Sequence, residues 1–442
     1  MKFQKFSCVL FLGLFVGMIC CQAQNKAFEI DALMLALKKA KKFNGSILVA
    51  QKGNLLLHKG YGNRNFRDGL ECDSSSIYQI ASVTKPFTAL FALKLAEQKK
   101  LSLEDKIEKY YDDFPKASTV TISHLLNHTS GISDHQPDSS EARYDSEEKT
   151  FIELLKKRPF DFDPGTSWKY SNSGYILLGY IIEKVSGLTY YDAIIQYVFK
   201  PLKMNQSGFD FTALKDKRKA VGYWTFPDHK TDEPAKLIHY SAPAAAGAIY
   251  STTGDLYKFH VGLQSEKLVR ASVLENAYTP VIGNYGYGWF VDYFNGRRLV
   301  HHSGDIWGFK SEFARVPEDD ICIVMLSNIE DEELHGITIK ILNILYGLPY
   351  QMPAENKVAL TQEELKEYEG KYELRPNEFI ALTVKNDILQ GNGQVLYAQK
   401  KDLFMLDNGR EQRELTFERN SAGKILGFKF RNGEIETFCK KN

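Results

Sequence analysis

The stretch Ser82-Val83-Thr84-Lys85 places a hydroxyl three residues ahead of an amine, at the start of an apolar run that reads as a helix. On a helix that spacing puts both side chains on one face, a turn apart. Ser82 and Lys85 can therefore touch. A serine becomes a nucleophile when a base takes its proton, and a lysine can be that base if desolvation keeps it neutral. The N-terminus of a helix also favours a developing oxyanion, and Pro86 suits a first turn whose N–H groups lack carbonyl partners. The pair is weak evidence alone, since Ser-x-x-Lys recurs at Ser146 to Lys149 and at Ser421 to Lys424. A serine at a helix start is more ordinarily an N-cap.

Two further elements follow in order. Tyr170-Ser171-Asn172 lies between a Pro-Gly turn and a helical stretch, where a phenol can relay protons and an amide can orient a substrate carbonyl. The default for these residues is a core aromatic and an N-cap asparagine. His302-Ser303-Gly304 ends the strand-like "RLVHHSG". A strand edge beside a nucleophile can offer a backbone N–H to an oxyanion and bind an extended substrate, and glycine permits close approach. Both tripeptide patterns also occur elsewhere, as Tyr61 to Asn63, Tyr293 to Asn295 and His58 to Gly60.

Together and in this order, "SVTK", "YSN" and "HSG" resemble the three motifs of the penicillin-recognising serine hydrolases: class C β-lactamases, low-molecular-weight penicillin-binding proteins, family VIII carboxylesterases and D-aminopeptidases. The segments "HLLNHTSGI", "PGTSWKYSNSGYILLGYIIEKVSG" and "GAIYSTTGDLYKF" extend the resemblance over about residues 27 to 346. It implies Ser82 as nucleophile, Lys85 as its activating partner and Tyr170 as the acid/base serving the leaving group. Asn172 would hold Lys85 and the substrate amide. His302, Ser303, Gly304 and Asp305 would line the substrate edge, with the N–H groups of Ser82 and Asp305 as the oxyanion hole. The β-lactamases and carboxypeptidases usually carry lysine where this chain has His302. A histidine, near neutral at pH 7, binds a substrate carboxylate less well. The expectation therefore moves to ester or D-amino-acid peptide substrates, with a β-lactamase or D-Ala-D-Ala carboxypeptidase as the alternative and a non-catalytic penicillin-fold sensor as the rival of another class.

Other chemistries fit less well. No serine has the Gly-x-Ser-x-Gly surroundings of a nucleophile elbow. His124 and His128 with Asp134 and His135 lack the glutamate of a His-Glu-x-x-His site, so no metal and no cofactor is expected.

These residues need a scaffold. The 442-residue chain is 43% hydrophobic and 25% charged with a formal net charge of +1, an ordinary globular composition that suggests neither nucleic acid nor an anionic membrane as partner. Lys2 and Lys5 before the apolar run Phe6 to Ile19, then "CCQAQNK", read as a secretory signal peptide over residues 1–23, with lipidation of Cys20 or Cys21 as the lesser alternative. A periplasmic or secreted product follows, with a small-molecule or peptide substrate, no membrane span and an oligomeric state the sequence leaves open. Of the remaining cysteines, Cys322 reads as a small buried hydrophobe, and a single Cys72–Cys439 bridge stays open.

"FEIDALMLALKKAKKF" predicts a helix, and the apolar runs around Lys52-Gly53-Asn54 a hairpin. From Ser82 to about Leu101 a helix with one apolar face is expected, then mostly helical or irregular chain to about Gln264. "TISHLLNHTSGI" and "YILLGYIIEKVSG" are its clearest helices. Strands return in "RRLVHHSG", "GFKSEFARVPED" and "DICIVMLSN", before a closing helix in "ELHGITIKILNILYG". The fold class is α+β: an antiparallel sheet built from both ends of the domain, flanked by helices with a helical insert, over residues 24–350. A linker at 351–362 leads to a small all-β, barrel-like domain at 363–442.

Overall fold

The computed structural model describes residues 24–135, 148–227, 233–355, 357–376, 378–385, 387–407, 412–432 and 435–442. The expected signal peptide lies outside the described residues. By backbone contact the chain divides into two units, one holding residues up to Asp31 and Phe43–His335, the other Ala32–Lys42 and Gly336–Asn442.

The first unit is built on a six-stranded antiparallel sheet. Its N-terminal contribution is the hairpin β1 (Gly45–Gln51) and β2 (Asn54–Tyr61). Lys52 and Gly53 take φ of 52° and 74°, the double left-handed turn that matches strand twist in a two-residue hairpin. After the short pairs β3 (Asn63–Asn65) with β4 (Leu70–Glu71) and β5 (Tyr78–Gln79) with β6 (Tyr250–Ser251), the chain returns as β7 (Phe290–Phe294), β8 (Arg297–Ile306), β9 (Phe309–Val316) and β10 (Ile321–Ser327). The sheet order β2-β1-β10-β9-β8-β7 joins the two ends of the unit through β1 and β10, Gly45 opposite Ser327 and Gln51 opposite Ile321. β10 is buried along its whole length, which is why "ICIVMLS" is almost wholly apolar. The expected strands and both-ends sheet are observed; β7 is an additional strand, in the polar-interrupted "FVDYF".

The first helix, α1, spans residues 24–39. The site-bearing helices are α2 (Thr84–Glu97), α3 (Ile122–Leu126) and α5 (Asn172–Ser186), with α4 (Glu148–Lys156) between. α2 departs from the sequence expectation twice. It begins at Thr84, after a 3-10 turn over Ala81–Val83, and it is buried on nearly every side from Thr84 to Leu93. A helix enclosed all round needs apolar residues all round. Phe87 stacks on Phe259 at 3.9 Å, and Thr88 Oγ1 donates to the Ala245 carbonyl at 2.6 Å, closing the core around it. "TISHLLNHTSGI" yields only the short α3, capped by Thr121 and His124.

In the second unit the C-terminal strands close into an eight-stranded barrel, from Gly370–Arg375 to Ile435–Lys441, and these two strands pair at Tyr372↔Lys441. Its core is aromatic: Tyr368, Tyr372, Phe404, Phe417 and Phe428. Cys72, Cys322 and Cys439 are buried free thiols, so the Cys72–Cys439 bridge left open by the sequence is not formed. Among the described residues no helix is long and apolar enough to cross a membrane.

Candidate active site

Ser82 sits in the middle of the 3-10 turn, and neither Ile80 nor Val83, the residues at the N-cap positions of the turn and of α2, makes a side-chain cap bond. The ordinary N-cap reading of Ser82 is thus set aside. Ala81 holds φ of 48°, an uncommon backbone for an L-residue, and it is over-determined by its neighbours: Ile80 N–H donates to the Ile249 carbonyl at 3.0 Å and Ser311 Oγ to the Ile80 carbonyl at 2.8 Å. The turn is therefore fixed against β9 and aims Ser82 from a rigid base.

Lys85, one turn further on, is fully buried. Its Nζ lies 3.1 Å from Ser82 Oγ and donates to Asn172 Oδ1 at 2.8 Å and to the Ala246 carbonyl at 2.8 Å. Two of these three neighbours are oxygens that can only accept. A neutral amine has two N–H groups, both committed there, and so points its lone pair at Ser82 Oγ. Burial pulls the Lys85 pKa down to about 7, opposed in part by the negative charge of Asp134. Among the described residues no carboxylate forms an ion pair with it.

Asn172 is the first residue of α5, and the cap is Ser171, whose side chain accepts from Gly174 N–H. Relieved of capping, the Asn172 amide bridges: Oδ1 takes Lys85, and Nδ2 donates to Asp134 Oδ2 at 3.1 Å. Asp134 Oδ1 also accepts from Ser173 N–H at 2.9 Å. In the sequence Asp134 reads only as a possible metal ligand; its place behind Asn172 carries no sequence signal, because 38 residues separate the two.

Tyr170 faces the same lysine, with Nζ 4.7 Å from the centre of its ring. Burial raises its phenol well above the ordinary value, with a bond to Ser82 acting the other way. At neutral pH it is a proton donor. His128 packs on its ring at 4.3 Å and accepts from Ser171 N–H at 3.2 Å, while His124 Nδ1 accepts from Thr121 N–H. These histidines brace the loop and the cap.

β8 brings the third motif. Gly304 lies against the Ser82 turn so closely that a Cβ there would stand 2.3 Å from the Ile80 carbonyl oxygen and 3.1 Å from the Ala81 Cβ. β8 turns into β9 through two residues, Trp307 and Gly308, with Ile306 opposite Phe309. In such a hairpin the closing pair is hydrogen-bonded and bonding alternates. Ile306, Gly304 and His302 therefore bond to β9, while Asp305 and Ser303 turn their N–H groups to the other edge. β7 reaches only as far as His301, opposite Phe290, so that edge is left unpaired by a strand from His302 onward. The Ser303 and Asp305 side chains are exposed, and Asp305 pairs with Lys310 at 2.7 Å.

His302 itself does not reach out to a ligand. It is 1% exposed, with Nδ1 2.6 Å from the Ser303 carbonyl and Nε2 2.9 Å from the Tyr285 hydroxyl. The carbonyl can only accept, so Nδ1 carries the proton and Nε2 accepts from Tyr285. Burial, then the charge of Lys85, brings its pKa down to about 3. The ring is neutral.

The beta-lactamase family model matches residues 30–344. The chain belongs to that family. Relatives match over almost the whole chain. It is 31% identical to penicillin-binding protein 4* of Bacillus subtilis, over 91% of this chain and 96% of that one. The octameric penicillin-binding protein homologue of Pyrococcus abyssi aligns with a TM-score of 0.68 at 26% identity, over 93% of this chain and 99% of that one. A D-stereospecific amidohydrolase from Streptomyces sp., at 24% identity and a TM-score of 0.61, shares the fold over 74% of this chain and 99% of that one.

Proposed function

We propose that the protein is a serine hydrolase working through an acyl-enzyme on Ser82, on ester or D-amino-acid amide and peptide substrates. The observation that carries it is the geometry of Lys85: buried, with both N–H groups of its neutral form taken and its lone pair facing Ser82 Oγ. As Oγ attacks the carbonyl carbon, its proton passes to Lys85 Nζ. The N–H groups of Ser82 and Asp305 hold the oxyanion. Collapse expels the leaving group, which takes the Tyr170 phenolic proton, and the Lys85 ammonium then reprotonates the phenolate. Water attacks the ester left on Ser82, and its proton follows the same route back as the acid product leaves. Asn172, braced by Asp134, holds Lys85 and the substrate amide.

His302 supports the substrate class. Where a lysine would present a cation to a substrate carboxylate, this chain has a neutral imidazole turned into the protein. The name of the Bacillus subtilis relative supports a second reading, in which a penicillin also acylates Ser82. The leader reading places the reaction outside the cytoplasm.

The test is labelling with a fluorophosphonate and with a labelled penicillin, mapped by mass spectrometry, beside turnover of a p-nitrophenyl ester, D-amino-acid amides and a chromogenic cephalosporin. Adducts on Ser82, absent in Ser82→Ala, with ester or amide turnover are expected. No adduct would leave a non-catalytic binding protein, and turnover of the cephalosporin alone would reverse the assignment of substrate.

A further inference from the structure

Next to His302 but facing away from it along the strand, His301 enters a second cluster of chemistry-bearing side chains that the hydrolase reading does not use. His301 Nε2 lies 3.0 Å from Asp292 Oδ2, on the neighbouring strand β7. His335, in the first turn of the helix Leu334–Tyr346, stacks beside it with ring centres 4.6 Å apart. One donor atom each from Asp292, His301 and His335 lies within 4.8 Å of the others.

Behind the rings stands Glu312 of β9, fully buried. Its Oε1 lies 3.3 Å from His301 Nδ1 and 3.1 Å from His335 Nδ1. One carboxylate oxygen thus faces the Nδ1 of both rings, hydrogen-bonded to that of His335, while the His301 Nε2 turns to Asp292. A carboxylate behind a histidine in this way is the usual outer partner of a metal-ligating imidazole. Asp292 is prepared in the same sense, since its Oδ1 accepts from Asn284 Nδ2 at 2.9 Å and Oδ2 is left to face His301. Glu312 Oε2 has no hydrogen-bond partner although it is buried.

We infer that Asp292, His301 and His335 form a binding site for a divalent transition metal of the zinc class, with Glu312 as its outer carboxylate. Two imidazoles and a carboxylate are a donor set suited to zinc, at bonds of about 2.0–2.1 Å, with one position left for water. The Asp292 and His335 side chains are 41% and 34% exposed, so the ion enters from solvent and those two side chains close on it. The bound ion would tie β7, β8 and the start of the Leu334–Tyr346 helix together, one residue from His302. It is a site outside the Ser82 machinery and does not depend on the hydrolase reading.

The full chain, stripped with a chelator, is titrated with Co2+ and then Zn2+. One equivalent of Co2+ should bind with the visible bands of a low-coordinate nitrogen and oxygen site, Zn2+ should displace it, and either ion should raise the Tm. His335→Gln and Asp292→Asn, both at half-exposed positions, should each weaken Co2+ binding at least tenfold while keeping Ser82 labelling by fluorophosphonate. Absent bands with an unmoved Tm in the wild type, or equal binding in both variants, would overturn the site and leave the cluster a network of ion pairs.

Discussion

The Tyr285 hydroxyl donates to His302 Nε2 over 2.9 Å, and this bond fixes which side of the imidazole is basic. With Nδ1–H given to the Ser303 carbonyl, the ring is satisfied at both nitrogens and has none left for a substrate. Tyr285→Phe removes the donor without changing the ring that packs on His128 at 4.5 Å and on Phe290 at 4.7 Å. The buried Nε2 is then orphaned, which should destabilise the fold by about 1–3 kcal/mol. Urea denaturation of the two proteins checks it; equal midpoints would mean that the bond carries no weight.

Activity should titrate with Lys85. Its pKa of about 7 means that the base form falls away as pH drops, so kcat/KM for a neutral ester should rise with pH and level off above about 7. Asp134 opposes the burial effect, and Asp134→Asn removes that charge while keeping an amide oxygen for Ser173 N–H. The limb should then move to lower pH. A variant whose rate falls with the limb unmoved would reduce Asp134 to a purely steric support.

Stability should carry the same signature with a definite sign. Lys85 has a folded pKa of about 7 against an ordinary 10.5, so between those values the unfolded chain binds the extra proton and stability rises with pH. The Lys85→Met variant lacks this contribution. The stability of the wild type minus that of the variant should increase from pH 7 toward pH 10, with a slope of at most about 1.4 kcal/mol per pH unit. Parallel stability curves for the two proteins would show that Lys85 is not held neutral by burial.

What the sequence could say about this site follows from how each residue signals itself. Ser82, Lys85, Tyr170 and Asn172 belong to short motifs whose order along the chain is itself information, and the structure brings all four around one amine. The β8–β10 strands announced themselves by apolar runs and turns. Ala246 contributes a backbone carbonyl, which has no side-chain signature, and Asp134 and Tyr285 reach the site only through tertiary folding. The N-cap readings of Ser82 and Asn172 failed for a related reason. Whether a polar residue caps a helix or turns to a buried lysine depends on the surrounding fold, and here Ser171 takes the cap that Asn172 could have taken.

Gly304 tests how closely β8 must approach the proposed nucleophile. An added Cβ would stand 2.3 Å from both the Ile80 carbonyl oxygen and Ser311 Oγ. The first is backbone of the turn that aims Ser82, and the second donates to that same carbonyl, so neither can yield without moving the turn or β8. Overpacking of this kind costs about 1–3 kcal/mol. Relief by a shift of β8 would draw the Asp305 N–H away from the oxyanion position proposed for it, and a lost oxyanion donor lowers kcat by about 100-fold or more. Gly304→Ala should therefore lose kcat on esters far more than it raises KM, while the fold, read by circular dichroism, persists. A variant with wild-type kcat would show that the edge of β8 is not the one that holds the oxyanion.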